Sequence, residues 1–513
     1  MVAGTQFHLT GYRQLHWRVS CRSTCGEYPV TTSMTTTRSA DTPAADRRDA
    51  GVGRDIAEMV RRARAAQQVF ETFDQTRVDA VVAAVAWAIY EPGRALSLAR
   101  TAVGDTGLGR VEDKVTKNQR KTLGTLRDLT GAASVGVIGE DRARGITEYA
   151  KPVGVVAAVC PSTNPAATPA NKTMMALKGR NAVILSPSPK GASTLAQLVG
   201  YIHAELDKVG APRDLVQFLA SPTKAHTYEL MRQCDLSVVT GSQKNVQAAY
   251  SSGKPAIGVG VGNAPVIIDA SADVPAAAAK VKASKTFDYA TSCSSENSLH
   301  VHEDVYDATI AALEAEGGLL VSPTDKGRLQ STMWVDGKLS SAVTAQPPAA
   351  IAQMAGLSDP RAVTAEFFMV EEDGFGPQNP FSGEKLSVVL TVYRFSDLDE
   401  ALARIQGILD FQGAGHSCGI HTADEQRARH VAERLRVARV LVNQAHCFGT
   451  GGGFDNGLGF TLTMGAGTWA GNSISDNLSY RNFLNITRLA RVIPAQVPTE
   501  DDVFGSYFAT YGR

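Results

Sequence analysis

From Asp55 onward, Ile56, Met59, Val60 and Ala63 recur at the spacing of one helix face, with Arg61, Arg62 and Arg64 between them. This predicts an amphipathic helix with Asp55 as its cap. Helical patterning continues through RVDAVVAAVAWAIYE and is expected to stop at Pro92-Gly93. KVTKNQRKTLGTLRDLTG predicts a further helix ending at Gly131. From Tyr149 the texture changes to short apolar runs bounded by turn residues. KPVGVVAAVCPSTNP, NAVILSPSP, LVQFLA, LSVVTGS and APVIIDASAD predict buried strands. KTMMALKGR, GASTLAQLVGYIHAELDKVGAP, KAHTYELMRQC and QKNVQAAYSSG predict the helices between them. Alternation of this kind argues an α/β chain with a parallel, doubly wound sheet. It returns from AVTAEFFMVEED onward, so a second α/β domain is expected over roughly 285–465.

Composition narrows the class. A chain of 513 residues exceeds one hydrophobic core. Lys+Arg and Asp+Glu are both 51, so net charge gives no case for nucleic acid or an anionic membrane as partner. No apolar run approaches the roughly 20 residues that span a bilayer. The seven cysteines are odd in number and form no CxxC pair, which implies free thiols in a reducing compartment and a cytoplasmic location. No His, Cys and carboxylate set has zinc spacing, so no metal is expected. Residues 1–50 lack sustained periodicity and an apolar signal core, and are expected to be disordered. Met34 is an alternative start that would make 1–33 dispensable; a short targeting tail is the other reading.

Four loops, CPSTNP, SPSPKG, TGSQKN and GVGVGN, fall at predicted strand ends, where open parallel sheets bind ligands. GVGVGN lacks GxGxxG spacing, and any one of these loops reads as a plain turn. Four in order point to one cleft. The cysteine chemistry centres on KTFDYATSCSSENSLHVHED. An isolated cysteine is most simply a buried inert thiol. Cys293 instead sits among Ser292, Ser294 and Ser295, and a turn or helix opening behind it would lower the thiol pKa and make it a nucleophile.

SKTFDYATSCSSEN resembles the nucleophile segment of CoA-acylating aldehyde dehydrogenases. YAKPVGVVAAVCPSTNPAATPANK, ALKGRNAVILSPSPK, GKPAIGVGVGNAPVIID, EKLSVVLTVYRF, GAGHSCGIHT and MGAGTWAGNS follow in family order, over roughly 55–490. DYATSCSSEN and GHSCGIHT are most similar to the sulfoacetaldehyde-oxidising acylating branch. The resemblance implies an aldehyde dehydrogenase-like fold: an NAD(P)-binding domain over 51–284 with a return segment near 466–485, a catalytic domain over 285–465, and an oligomerisation arm over 486–513.

It also implies roles. Cys293 would attack the aldehyde, lose hydride to the nicotinamide and carry a thioester. The oxyanion would be held by the Cys293 N–H with Thr163 or Asn164; PSTNP is spaced differently from the PWNFP of hydrolytic relatives, so both stay candidates. Val259 stands where the ELGGK-like segment of hydrolytic relatives carries its water-activating Glu. Without that base, water attack is slow and the CoA thiol is the expected acceptor; Glu296 is the substitute base if there is one. Glu384 falls where relatives hold the nicotinamide ribose, and Ser186 and Ser188 where a Lys grips the adenosine ribose, so NAD and NADP stay open. Gly241 and Ser242 are expected to open a helix toward the pyrophosphate, with Gly260 on the same cofactor side. His416 either shuttles protons for CoA attack or holds its loop. His302 and His446 are expected to be structural, and Lys285 to neutralise local charge. Val261 replaces a usual Pro, and NQAHCFGTGGGFDNG is expected at the substrate entrance.

The implied reaction takes a small aldehyde, CoA and NAD or NADP. Acetaldehyde or propionaldehyde oxidation and hydrolysis to a free acid are the nearest alternatives. A cysteine hydrolase and a non-catalytic scaffold are the more distant ones, and they would need no nicotinamide. A homodimer or homotetramer through LNITRLARVIP is expected, and a microcompartment shell is a further candidate partner.

Overall fold

The structure, a computed structural model, describes residues 44–513, and the expected tail lies largely outside them. Helix α1 (Ala44–Glu71) starts well before Asp55, which is therefore inside the helix and not its cap. Periodicity marked the buried face, including Ile56, Ala63 and Phe70, but not the start, because no proline interrupts 44–55. Helix α2 (Gln75–Tyr90) is capped by Asp74, whose carboxylate accepts from the Arg77 N–H. Pro92-Gly93 ends α2 but also opens α3 (Pro92–Thr106). Glu91 accepts from the Gly93 and Arg94 N–H groups, and the proline sits where no N–H is needed. Helix α4 (Val111–Leu129) inverts the usual pattern. It buries Lys114, Lys117, Asn118, Lys121 and Thr125 and leaves Leu123 47% exposed.

A hairpin of β1 (Gly136–Asp141) and β2 (Ile146–Pro152) leads into the first large sheet. Its strands are β3 (Val155–Val159), β4 (Ala182–Ser186), β5 (Val216–Phe218), β6 (Leu236–Thr240) and β7 (Ala256–Val259), in the order β5-β4-β3-β6-β7 and all parallel. Strands β3 and β4 are buried throughout, as strands covered on both faces by helices must be. Between them run α5 (Ala167–Lys178), α6 (Ala192–Lys208), α7 (Lys224–Gln233) and α8 (Gln243–Tyr250).

The second sheet is also all parallel. Its strands include β8 (Pro265–Ile268), β9 (Ser298–His302) and β10 (Gly318–Leu320). After a short ribbon of β11 (Trp334–Val335) and β12 (Lys338–Leu339) come β13 (Phe367–Glu371), β14 (Val389–Phe395), β15 (Cys418–His421) and β16 (Val440–Val442). The order is β10-β13-β14-β9-β8-β15-β16. The boundary expected at 284/285 is thus corrected: β8 and helix α9 (Val274–Thr286) belong with the second sheet, so the chain changes sheets between Val259 and Pro265. Leu478 and Phe483 return to the core of the first sheet. Strand β17 (Leu484–Ala490) then pairs with β2 to make an exposed three-stranded antiparallel sheet. The last helix, Glu500–Tyr511, buries no residue. Among the described residues no helix is long and apolar enough to cross a membrane.

Candidate active site

The four candidate loops follow the carboxyl ends of β3, β4, β6 and β7, and they line two adjoining cavities. The first, about 370 Å³, is walled by Ser186, Ser188, Thr223, Lys224, Gly241 and Ser242. Ser186 is fully buried, and its hydroxyl is shared with Thr227 at 2.9 Å. Ser242 is the N-cap of α8. A Cβ at Gly241 would meet nothing within 4 Å, so this backbone faces open space. The second cavity, about 290 Å³, shares Gly241 and Ser242 with the first and adds Thr163, Asn164, Gly260, Cys293 and Glu384. Hydroxyls, a helix opening and no carboxylate at the far end suit a dinucleotide phosphate and ribose.

The segment carrying Cys293 is set by an unusual backbone. Asp288, Tyr289 and Ala290 all have positive φ, at 52°, 50° and 58°. Three non-glycine residues in this region are held only by strong local contacts. The buried Asp288 carboxylate supplies them. It accepts from Lys117 Nζ at 2.6 Å, Lys114 Nζ at 3.0 Å, Thr291 Oγ1 at 2.7 Å and the Arg110 N–H at 2.8 Å. Burial alone would raise this carboxyl, but Lys117, Lys114 and the hydrogen bonds outweigh it and hold it below the usual range. Lys117 also donates to Asn164 Oδ1 at 2.9 Å, which turns the amide so that its NH2 is the free end. That NH2 has only Thr163 Oγ1, at 3.5 Å.

Cys293 is partly exposed on the second cavity, and His416 Nε2 lies 3.5 Å from its sulfur. The other ring nitrogen of His416 is 2.7 Å from Ser417 Oγ. Burial pushes the His416 ring down to about 3, so it is neutral at pH 7. Gly262 brings the loop between β7 and β8 against Cys293: a Cβ there would lie 2.8 Å from both the Cβ and the carbonyl oxygen of Cys293. Its N–H donates to Glu384 Oε1 at 3.3 Å.

The expected lowering of the thiol pKa is reversed. Burial, then the nearby Glu384, pushes Cys293 up to about 12, against the opposing pull of its own N–H, Arg439 and Lys117. Ser292 and Ser294 bond each other at 2.7 Å and not the sulfur. Iodoacetamide labelling of the peptide containing Cys293 is therefore expected to rise about tenfold per pH unit between pH 7 and 9. A rate already flat at pH 7, read by mass spectrometry, would mean a preformed thiolate.

Glu296, the candidate substitute base, lines neither cavity; its Oε1 accepts from the His446 N–H at 3.0 Å. His446 reaches the Ser294 carbonyl at 2.8 Å, and the buried Lys285 donates to the Glu296 carbonyl at 2.8 Å. Both brace the segment behind Cys293. His302 caps the following helix. Val259 is 3% exposed at the end of β7. The Gly-rich stretch contributes Cys447 and Phe448 to a third, smaller cavity that shares Asn164, Ser292 and Leu462 with the walls around the second. Lys117, Lys121 and Arg120 also line it. The sequence reading missed these cations, although Lys114, Lys117 and Lys121 stand at i, i+3 and i+7 on one helix face.

The model of the aldehyde dehydrogenase family matches residues 22–321. The chain is 57% identical over 459 residues to the acylating sulfoacetaldehyde dehydrogenase of Cupriavidus necator, covering 89% of this chain and 93% of that one. The chain belongs to the aldehyde dehydrogenase family. It is also 35% identical to the acetylating succinate-semialdehyde dehydrogenase of Clostridium kluyveri, over 88% of this chain and 99% of the other. Its fold matches an acetylating aldehyde dehydrogenase from Geobacillus thermoglucosidasius with a TM-score of 0.84 at 35% identity, covering 88% and 99% of the two chains. This aldehyde dehydrogenase therefore lies in the acylating branch, an oxidoreductase that uses NAD(P) and coenzyme A.

Proposed function

We propose that this enzyme oxidises sulfoacetaldehyde to sulfoacetyl-CoA through a thioester on Cys293. The observation that carries the proposal is the Cys293 sulfur at the cavity wall beside a neutral His416, with no Glu at 259 to activate water. The 57% identity to the Cupriavidus necator enzyme supports the choice of aldehyde.

A thiol this weakly acidic needs a proton acceptor as its sulfur attacks the carbonyl carbon, and His416 Nε2 is in reach. The oxyanion then forms against the Asn164 NH2, which Lys117 holds in orientation, and the Cys293 N–H. Thr163 is the lesser donor, its hydroxyl already beside the Asn164 amide. Bound nicotinamide supplies the hydride acceptor; Ser186, Ser188, Gly241, Ser242, Gly260 and Glu384 would hold the dinucleotide. Once His416 has lost the first proton to solvent, the CoA thiol attacks the thioester, and its proton passes through His416 to the departing Cys293 sulfur. The balance is aldehyde, CoA thiol and NAD(P)+ to acyl-CoA, NAD(P)H and a proton.

The test is nicotinamide reduction with and without CoA, using sulfoacetaldehyde, acetaldehyde and propionaldehyde. Strict CoA dependence with sulfoacetaldehyde preferred is expected; turnover without CoA sinks the acylating reading. Val259→Glu is expected to gain free-acid product. Its absence, read by chromatography, would make loop geometry limiting instead of the missing base.

The arm supports self-association: Val497, Val503, Phe504, Tyr507 and Tyr511 are exposed apolar residues at the end of the chain, suited to a second copy. Light scattering on the full chain should read a dimer or tetramer. A monomer would refute it.

A further inference from the structure

The third cavity, about 30 Å³, gathers Lys117, Arg120 and Lys121 on one wall. Arg120 enters it from α4 and makes no hydrogen bond or ion pair among the described residues, and its Nε is buried without a partner. Its guanidinium carbon lies 5.0, 5.5 and 5.9 Å from the ring centres of Phe454, Phe448 and Phe460. Lys121, 9% exposed, spends one proton on the Gly451 carbonyl at 2.8 Å and has no carboxylate partner. Of the helix's acids, Asp128 is committed to Arg127 and the Phe460 N–H, and Asp113 to Arg110 and the Asp288 N–H. No carboxylate lines the cavity. A guanidinium with its Nε buried and unpartnered, beside a buried lysine without a counter-ion, is costly, and a cavity that brings the two together against phenylalanine rings is built for an anion.

Resting on the functional reading above, we infer that Arg120 and Lys121 bind the anionic tail of the aldehyde, and that a compact sulfonate is the tail they select. The cavity adjoins the Cys293 cavity through shared Asn164, Ser292 and Leu462, on the side away from Ser186 and Ser188. A carbonyl at Cys293 can thus send a short tail into it. At about 30 Å³ the cavity admits no more than the head of a short tail, which favours a two-carbon aldehyde over a four-carbon one. A guanidinium meets a three-oxygen anion with paired, charge-assisted hydrogen bonds, and Phe287 and Phe448 supply the apolar part of the wall.

The experiment compares the wild type with Arg120→Met and Arg120→Lys. It uses sulfoacetaldehyde, succinic semialdehyde and acetaldehyde, each with CoA and nicotinamide. Arg120 is partly exposed, so its replacement tests the idea with less risk to folding than Lys121. In Arg120→Met the kcat/KM ratio of sulfoacetaldehyde over acetaldehyde should fall on the order of 10²-fold, mostly through KM, with Arg120→Lys recovering part of it. Equal loss for both aldehydes would make Arg120 structural and overturn the inference. Succinic semialdehyde preferred by the wild type would overturn the sulfonate assignment. Isethionate (2-hydroxyethanesulfonate) serves as a probe without turnover: it should raise the melting midpoint of the wild type and not of Arg120→Met. Equal shifts in both would overturn the inference. If no aldehyde is oxidised, the functional reading fails while the isethionate shift still reads the pocket.

Discussion

Cys293→Ala is expected to lose nicotinamide reduction by on the order of 10⁴-fold or more, while the protein stays folded. Removing a nucleophile that carries a covalent intermediate costs this much because no neighbouring group can form the same bond. Among the described residues, Cys160, Cys234, Cys418 and Cys447 are buried free thiols, and each is pushed above its ordinary pKa by burial. None of these four lines the cavity with Asn164 and Glu384: Cys160 lines the adjoining cavity and Cys447 the small third one. Folding should hardly change, since the sulfur's one polar contact is His416 at 3.5 Å; a stability change within about 1 kcal/mol is expected. The decisive companion measurement is mass spectrometry of the wild type given aldehyde and nicotinamide without CoA. One acyl group should appear on the Cys293 peptide and be absent from the variant. Retained turnover in Cys293→Ala would remove the thioester mechanism altogether.

What the sequence revealed depended on whether the relevant physics was local. The alternation of apolar runs with helical patterns identifies two parallel sheets because each run must be covered on both faces. It does not say which sheet a strand joins. Strand β8 follows β7 after only residues 260–264 yet pairs with β9 and β15 across the molecule. Strand β7 itself was hidden: GKPAIGVGVGN carries glycines that lower strand propensity, and pairing with β6 overrides them. Cys293 was legible because its neighbours are contiguous, but its titration was not. Polar neighbours suggested a lowered pKa, whereas burial and Glu384, which comes from the loop before β14, decide the opposite direction. The lysine face of α4 carries its periodicity openly. On one helix such a face reads as solvated, and only the left-handed run at 288–290 beneath it supplies the buried partner.

That partner carries the second large effect. Asp288→Ala is expected to cost about 3–5 kcal/mol, because it leaves Lys114 and Lys117 buried without their counter-charge. Their side chains are only 5% and 7% exposed, so water cannot take the carboxylate's place. The same change frees the Thr291 hydroxyl and the Arg110 N–H, loosening the turn that presents Cys293 and the lysine that orients Asn164. Activity should therefore fall with stability, and Asp288→Ala combined with Lys114→Met should recover part of the stability by removing one orphaned charge. The crowded glycine nearby sharpens the point: a Cβ at Gly109 would fall 1.9 Å from Asp288 Oδ1, so a side chain there should imitate the loss. The pH dependence has a fixed sign. The Asp288 carboxyl is lowered in the folded state, so its contribution is complete above the ordinary Asp value of about 3.9 and is lost as pH falls through the lower folded value. Chemical denaturation at pH 7 and pH 3 separates the possibilities. The penalty of Asp288→Ala should be large at pH 7 and shrink in acid; an equal penalty at both would assign it to lost packing and not to the paired lysines.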